Sequence, residues 1–353
     1  MSGKIKVLII DDSALVRKIL RTICEKDPGI EVVDTAQDPV FAVEKIKKFL
    51  PDVLTLDIEM PRMDGLTFLE KLMMQNPVPA VMISSLTARN AEITLRALEL
   101  GAFDYVEKPK NIQELETLAE TIIEKIKAAG HSSARSRLIS IINRSRSTQE
   151  KKETPALITR QISTTDRIIA LGSSTGGTVA IAEILKLLPV NIPGMVIVQH
   201  MPGTFTRSFA GRLNSICSLH VKEASDGDQI RDGFVYIAPG GLQCSIYSSG
   251  AKYFIKIQDG PPVNRHKPSV AVLFNSVANY AGKNAVGVML TGMGDDGARA
   301  MRQMKDAGSF NIVQDEESSV VWGMPGSAVK YEAHNIISPL GSIAGEIIKA
   351  VSK

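Results

Sequence analysis

Three stretches of this sequence carry a hydroxyl, an imidazole and a carboxylate to the ends of apolar runs. "RIIALG" leads into "GSSTGG", where Ser173, Ser174 and Thr175 follow one another. "GMVIVQH" closes on His200, and "AVGVML" leads into "TGMGDDG", which holds Asp296. Acyl transfer uses such a set: the carboxylate orients the imidazole, the imidazole takes the hydroxyl proton, and the oxygen attacks a carbonyl. The chain order Ser, His, Asp is not that of the α/β-hydrolases, and their GxSxG elbow is absent. The glycine-rich loop has other readings. Backbone N–H groups at a strand-to-helix turn also cradle phosphates, yet the GxGxxG spacing and the P-loop lysine are both missing. A plain tight turn uses the same glycines, His200 can be a packed strand-end histidine, and "DDG" is good turn chemistry. Spacing alone leaves Ser173 and Ser174 equivalent.

A second set stands near the start. Asp11 and Asp12 follow "KVLII", and Asp57 closes "DVLTLD". Ser84 ends "PAVMIS", and Lys108 lies in "EKP". Three carboxylates at one place repel unless a hard cation joins them, and Mg²⁺ suits an all-oxygen cluster. A hydroxyl and an ammonium beside such a cluster make a seat for a phosphoryl group, and a carboxylate can itself accept one. Any one of these residues could decorate a loop end; five at successive expected positions favour the pocket.

Both sets require a parallel sheet, because only there do the carboxyl ends of several strands converge on one edge. Up to about residue 125, short apolar runs alternate five times with helical patterns. The runs are near-continuous rather than alternating, as for strands covered on both faces. A flavodoxin-like, doubly wound α/β domain is expected over 1–125. Residues 126–160 are Ser-rich and polar and read as a linker. Alternation resumes over 161–353 with "RIIALG", "GMVIVQH", "GFVYIAPGG", "YFIKIQDG" and "AVGVMLTGMG" as strands. "VAIAEILKLL", "SVAVLFNSVANYAG" and "ARAMRQMKDAG" read as helices, and a hairpin is expected across "LQCSIYSSGAKYFIKIQ". This second domain is expected to be mostly parallel α/β.

Length and composition agree with two ordinary domains: 353 residues, 44% hydrophobic and 22% charged. Charge is unevenly spread. Residues 1–125 carry 16 Lys and Arg against 21 Asp and Glu, 126–160 carry 8 against 2, and 161–353 carry 17 against 15. The basic strip has no aromatic residue to stack on bases, so a solvated linker is expected and no nucleic acid. Cys24, Cys217 and Cys244 have no metal-ligand spacing and cannot form a closed disulfide set, which fits a reducing cytoplasm. The apolar run of "MSGKIKVLII" meets "DD" too soon for a secretory signal, and no stretch is long enough to span a bilayer.

The first half resembles the receiver domains of two-component response regulators through "DDS", "LDIEMPRMDG", "ISS" and "EKP". That resemblance implies a phosphoacceptor at Asp57 and Mg²⁺ held by Asp11, Asp12, Asp57 and the backbone carbonyl of Glu59. Ser84 and Lys108 would touch the phosphoryl oxygens, Tyr105 would be the aromatic that moves on phosphorylation, and a histidine kinase would be the phosphodonor.

The second half resembles the catalytic domain of the CheB protein-glutamate methylesterases of bacterial chemotaxis, through "LGSSTGGT", "VQHMPGTFTRSFAGRLN", "YIAPGG", "PPVNRHKPSV", "LTGMGDDGA" and "VVWGMPGSA". This implies Ser174 as nucleophile, His200 as base and Asp296 as orienting acid, with Thr175 alongside and the Met293 N–H offered to the oxyanion. The esterase step would need no cofactor. The expected substrates are methylated glutamates, and glutamines, of chemoreceptors. A cytoplasmic, monomeric enzyme is expected, its cleft covered by the receiver until phosphorylation. Where the family often has "HRPSVD", this chain has "HKPSVA", so Lys267 and Ala271 stand in place of a guanidinium and a carboxylate. His266 beside them reads equally as a packing residue or a cleft residue. The rival readings are a nucleotide- or dinucleotide-binding module, disfavoured by the missing GxGxxG, a DNA-binding regulator, disfavoured by the size of the second half, and a triad enzyme acting on another ester or amide.

Overall fold

The computed structural model describes residues 3–85, 87–108, 115–131 and 167–352. The chain divides into two compact units, Met1–Glu150 and Lys151–Lys353. The first is a five-stranded parallel sheet in the order β2-β1-β3-β4-β5. Its strands are β1 (Ile5–Ile10), β2 (Ile30–Ala36), β3 (Val53–Asp57), β4 (Ala80–Ser84) and β5 (Asp104–Glu107), and they alternate with helices α1 (Ala14–Cys24), α2 (Pro39–Phe49), α3 (Gly65–Gln75), α4 (Ala88–Glu99) and α5 (Leu115–Gly130). Every residue of β3 and β4 is buried, which is why these runs are apolar on both faces. Helix starts are marked by side chains that accept backbone N–H groups: Ser13 for α1, Asp38 for α2, Asp64 for α3 and Thr87 for α4. Strand order reverses between β1 and β3, so the loops after those strands part and leave a crevice.

Helix α5 runs five residues past the expected domain boundary at 125. Ile126 and Ala129 on it are buried, so this turn and a half packs within the first unit. The rest of the expected linker, 132–160, lies outside the described residues.

The second unit is built on seven strands, all parallel, in the order β14-β13-β12-β6-β7-β9-β8. In chain order these are β6 (Ile168–Ser173), β7 (Met195–Gln199), β8 (His220–Glu223), β9 (Phe234–Ile237), β12 (Ala285–Met289), β13 (Phe310–Gln314) and β14 (Ile336–Ser338). The hairpin is present as a separate antiparallel pair, β10 (Gln243–Ser249) with β11 (Lys252–Gln258). Its inward side chains Cys244, Ile246, Tyr253 and Ile255 join Val270 and Phe274 in the core. Helices α6 (Gly177–Leu187), α7 (Gly203–Ile216), α8 (Val270–Tyr280), α9 (Ala298–Asp306), α10 (Met324–Lys330) and α11 (Leu340–Val351) complete the unit. Strand order reverses at β6, between β12 and β7, and the crevice there receives the loops after β6, β7 and β12.

Strands β8, β13 and β14 and helices α7, α10 and α11 were not among the expected elements. Strand β13 shows why. Its Asn311 and Gln314 break the apolar run, yet both are buried. Asn311 donates to the carbonyls of Met301 and Ala333, and Gln314 accepts from Thr291 N and donates to the Ser318 carbonyl. Buried amides bonded by groups from other elements are invisible to a hydropathy pattern. Among the described residues, no helix is long and apolar enough to cross a membrane.

Candidate functional site

In the first unit, carboxylate oxygens of Asp11, Asp12 and Asp57 lie within 4.8 Å of one another. The Lys108 ammonium sits among them, 2.6 Å from Asp57 Oδ2, 3.2 Å from Asp11 Oδ2 and 3.9 Å from Asp12 Oδ1. Burial, then the charge of Asp11, raises the Asp57 carboxyl to about 6 against the pull of Lys108. Burial also raises Asp11. The Asp57 and Asp11 carboxylates hold Lys108 above its ordinary range although burial opposes this. One ammonium thus leaves negative charge under-compensated, and the all-oxygen donor set fits a hard divalent cation. Glu59 enters through its backbone N–H, 3.4 Å from Asp57 Oδ1. The Ser84 hydroxyl is buried and bonds locally, 2.9 Å from Thr94 Oγ1 and 3.3 Å from the Ser85 carbonyl. Tyr105 is buried, with the Lys125 ammonium 5.1 Å from its ring centre.

In the second unit the two serines have different surroundings. Ser173, the last residue of β6, is fully buried, and its hydroxyl donates to Gln199 Oε1 at 2.6 Å. Ser174 is half-buried in the turn that opens α6. Its N–H donates to the Thr291 carbonyl, 3.1 Å, which ties the end of β6 to the loop after β12. A side chain at Gly292 would place Cβ 2.9 Å from Ser174 Cβ and 2.4 Å from Met324 Sδ, so only glycine lets that loop approach so closely. Thr175 is buried, and its carbonyl accepts from Thr291 Oγ1. Met293 is half-buried one residue past Gly292.

His200 stands directly after β7, its N–H on the Ser173 carbonyl. Its Nε2 lies 2.9 Å from Asp296 Oδ2, and its Nδ1 is buried without a hydrogen-bond partner. Asp296 is 2% exposed. Burial raises its carboxyl, but hydrogen bonds from His200, Asn264 and Ser269 bring it down to about 2. The same carboxylate accepts the N–H groups of Val270, 2.7 Å, and Ala271, 3.3 Å, at the start of α8, where the helix dipole favours an anion. An ionised Asp296 holds the imidazole proton on Nε2 and leaves Nδ1 as the basic nitrogen.

Comparison with known proteins settles the lineage. Residues 169–347 match the CheB methylesterase family model, and residues 7–120 match the response regulator receiver domain model. The protein-glutamate methylesterase/protein-glutamine glutaminase 1 of Xanthomonas campestris pv. campestris is 50% identical over 351 residues, 98% of this chain and 96% of that protein. Number 3 of Leptospira interrogans serovar Lai is 49% identical over 97% of this chain and 99% of its own. The crystal structure of the Thermotoga maritima CheB methylesterase catalytic domain matches with a TM-score of 0.51 and 36% identity, covering 53% of this chain and 99% of that one.

The chain belongs to the CheB methylesterase family. It carries a receiver domain ahead of the CheB domain.

Around the CheB site the structure adds Asn264 and Ser269, which the sequence did not single out, and gives His266 a definite place. Asn264 Nδ2 and Ser269 Oγ both donate to Asp296 Oδ1 at 2.8 Å. The His266 ring stacks on His200, centroids 3.6 Å apart and planes 11° off parallel. Asn264 and Ser269 lie within "PPVNRHKPSV", about 30 positions from Asp296, and nothing in their types marks them as its partners. The departures at 267 and 271 are harmless to this geometry. Lys267 turns to Asp259, and Ala271 contributes its backbone N–H to Asp296.

Proposed function

We propose that this CheB-family enzyme hydrolyses glutamate γ-methyl esters, and deamidates glutamines, on chemoreceptors under control of receiver phosphorylation. The observation that carries the reading is the divided bonding of His200: Nε2 on a buried, ionised Asp296, and Nδ1 buried with no hydrogen-bond partner. In the first step the Ser174 hydroxyl gives its proton to His200 Nδ1 and its oxygen attacks the ester carbonyl. The Met293 N–H, in the loop after β12, receives the oxyanion. The Oγ–C bond stays, the C–OCH₃ bond breaks, and methanol leaves with the proton from Nδ1. Water then gives a proton to Nδ1 and attacks the acyl-enzyme, releasing glutamate and restoring Ser174. With glutamine the same acyl-enzyme forms and ammonia leaves.

Asp57 is the phosphoacceptor in this reading, with a histidine kinase as donor. Mg²⁺ bound by Asp11, Asp12, Asp57 and the Glu59 carbonyl would supply the positive charge that Lys108 alone does not. Lys108 and Ser84 are the candidates to meet the phosphoryl oxygens, with Tyr105 responding. The test is methanol release from a methylated chemoreceptor, with and without a small-molecule phosphodonor. The wild type releases methanol faster with the donor, Asp57→Ala ignores the donor, and Ser174→Ala releases almost none. A Ser174→Ala variant with wild-type rate removes the nucleophile from the reading.

A further inference from the structure

We infer that Gln199 is a positioning residue whose amide sets the nucleophile and the base relative to one another; the inference rests on the reading of Ser174 and His200 above. Gln199 ends β7 directly opposite Ser173 at the end of β6. Paired residues of neighbouring strands put their side chains on the same face, so Ser173 and Gln199 meet beneath the crevice. The Ser173 hydroxyl donates to Gln199 Oε1 at 2.6 Å. Gln199 Nε2 then donates to the Ser174 carbonyl, 2.9 Å, and lies 3.3 Å from the His200 carbonyl. One side chain therefore touches the main chain of both residues assigned to the chemistry.

The orientation of that amide follows from the chemistry of its neighbours. Turned over, Oε1 would face two carbonyl oxygens, while the serine hydroxyl tolerates either end. The residue is 3% exposed, so no water replaces a lost bond. The space is closed as well. A Cβ at Gly177 would stand 2.3 Å from Gln199 Oε1 and 2.7 Å from Ser173 Oγ. Two adjacent serines thus have separate tasks: Ser173 orients the amide, and the amide holds the carbonyl of Ser174, whose N–H is already held by Thr291.

Methanol release from a methylated chemoreceptor by the full chain tests this with three variants. Gln199→Leu roughly keeps the volume and loses all three bonds; kcat is expected to fall about 100-fold at every pH with KM changed less than about 3-fold, the size of effect that slight misplacement of reacting groups produces. In Gln199→Glu, the neutral acid can still donate to the Ser174 carbonyl and the carboxylate cannot. Its kcat is expected to drop further relative to wild type as pH rises through the glutamate titration, a signature a purely structural tie would not give. Ser173→Ala is expected to lose less, and the double variant Ser173→Ala/Gln199→Leu no more than Gln199→Leu alone, since both act through one amide. Thermal melts fix a temperature at which each variant is folded. Wild-type kcat in folded Gln199→Leu, additive losses in the double variant, or a flat pH ratio for Gln199→Glu overturns the inference. Ser174→Ala run alongside separates the two levels: if it is inactive while Gln199→Leu is unimpaired, only the positioning role fails; if it is active, the nucleophile assignment fails and the positioning role with it.

Discussion

Asp296 bonds to His200 Nε2 and to two helix N–H groups at once, so its charge bears both on the proposed reaction and on the fold. Replacing it with Asn keeps the shape but lets an amide N–H face Nε2. The imidazole proton then moves to Nδ1, where the proposed mechanism places the base, and kcat is expected to fall by roughly 10³–10⁴. Stability follows the same charge. The folded-state value of about 2 lies below the ordinary 3.8, so the group stabilises the fold above pH 4 and loses that contribution as pH falls toward 2. The difference is roughly 2 kcal/mol. Urea unfolding of the wild type against Asp296→Asn should show stability differences that shrink across that window. A constant difference from pH 5 to pH 2 would mean the carboxylate is not held ionised.

The turn from Val263 to His266 is the element that brings distant side chains to this pair. Val263 and His266 exchange backbone hydrogen bonds, and between them Asn264 and Arg265 adopt positive φ, 51° and 68°. Non-glycine residues rarely take that conformation, though asparagine tolerates it best. Its reward here is local: Asn264 reaches Asp296 Oδ1, and His266 is delivered onto the His200 ring. Asn264→Ala loses the bond and keeps the unfavourable backbone, so a loss of about 1–2 kcal/mol is expected. A lowered kcat should accompany it as Asp296 loosens, whereas Asn264→Gly should recover stability but not rate. Equal stability of the two variants would show that the backbone conformation costs little.

Two compact units, each with its own parallel sheet, make a single unfolding transition an unsafe assumption. The acidic pocket gives a way to address the receiver. Asp57 has a folded value of about 6, above the ordinary 3.8. The folded protein therefore binds this proton more tightly than the unfolded chain, and stability from this group declines as pH rises from about 4 to about 6. At pH 7.5 the ionised carboxylate costs about 3 kcal/mol. Asp57→Asn should raise the midpoint of the receiver transition in chelator-containing buffer. Mg²⁺ should stabilise the wild type and leave Asp57→Asn nearly unmoved. Calorimetry at pH 7.5 reads both effects, and an unchanged midpoint in the variant would mean that Lys108 already neutralises the site.

The sequence alone determined the first parallel sheet, the strands β6, β7, β9 and β12 of the second, and the strand ends that carry Asp11, Asp12, Asp57, Lys108, His200 and Asp296. It could do so because buried strands are apolar runs and the polar residues stand where those runs stop. It also held enough family motif to single out Ser174, but no local rule separated that serine from Ser173. The surroundings that distinguish them are tertiary: the opposite strand places Gln199 against Ser173, and the β12 loop with Gly292 closes on Ser174. Strand β13 is not legible as an apolar run because its buried Asn311 and Gln314 find their hydrogen bonds only on groups from other elements. Asn264 and Ser269 were silent for the same reason, and the sequence left His266 open between a packing and a cleft residue. Their effect on Asp296 and His200 depends on a turn and a helix start brought alongside by folding, and sequence separation carries no record of that proximity.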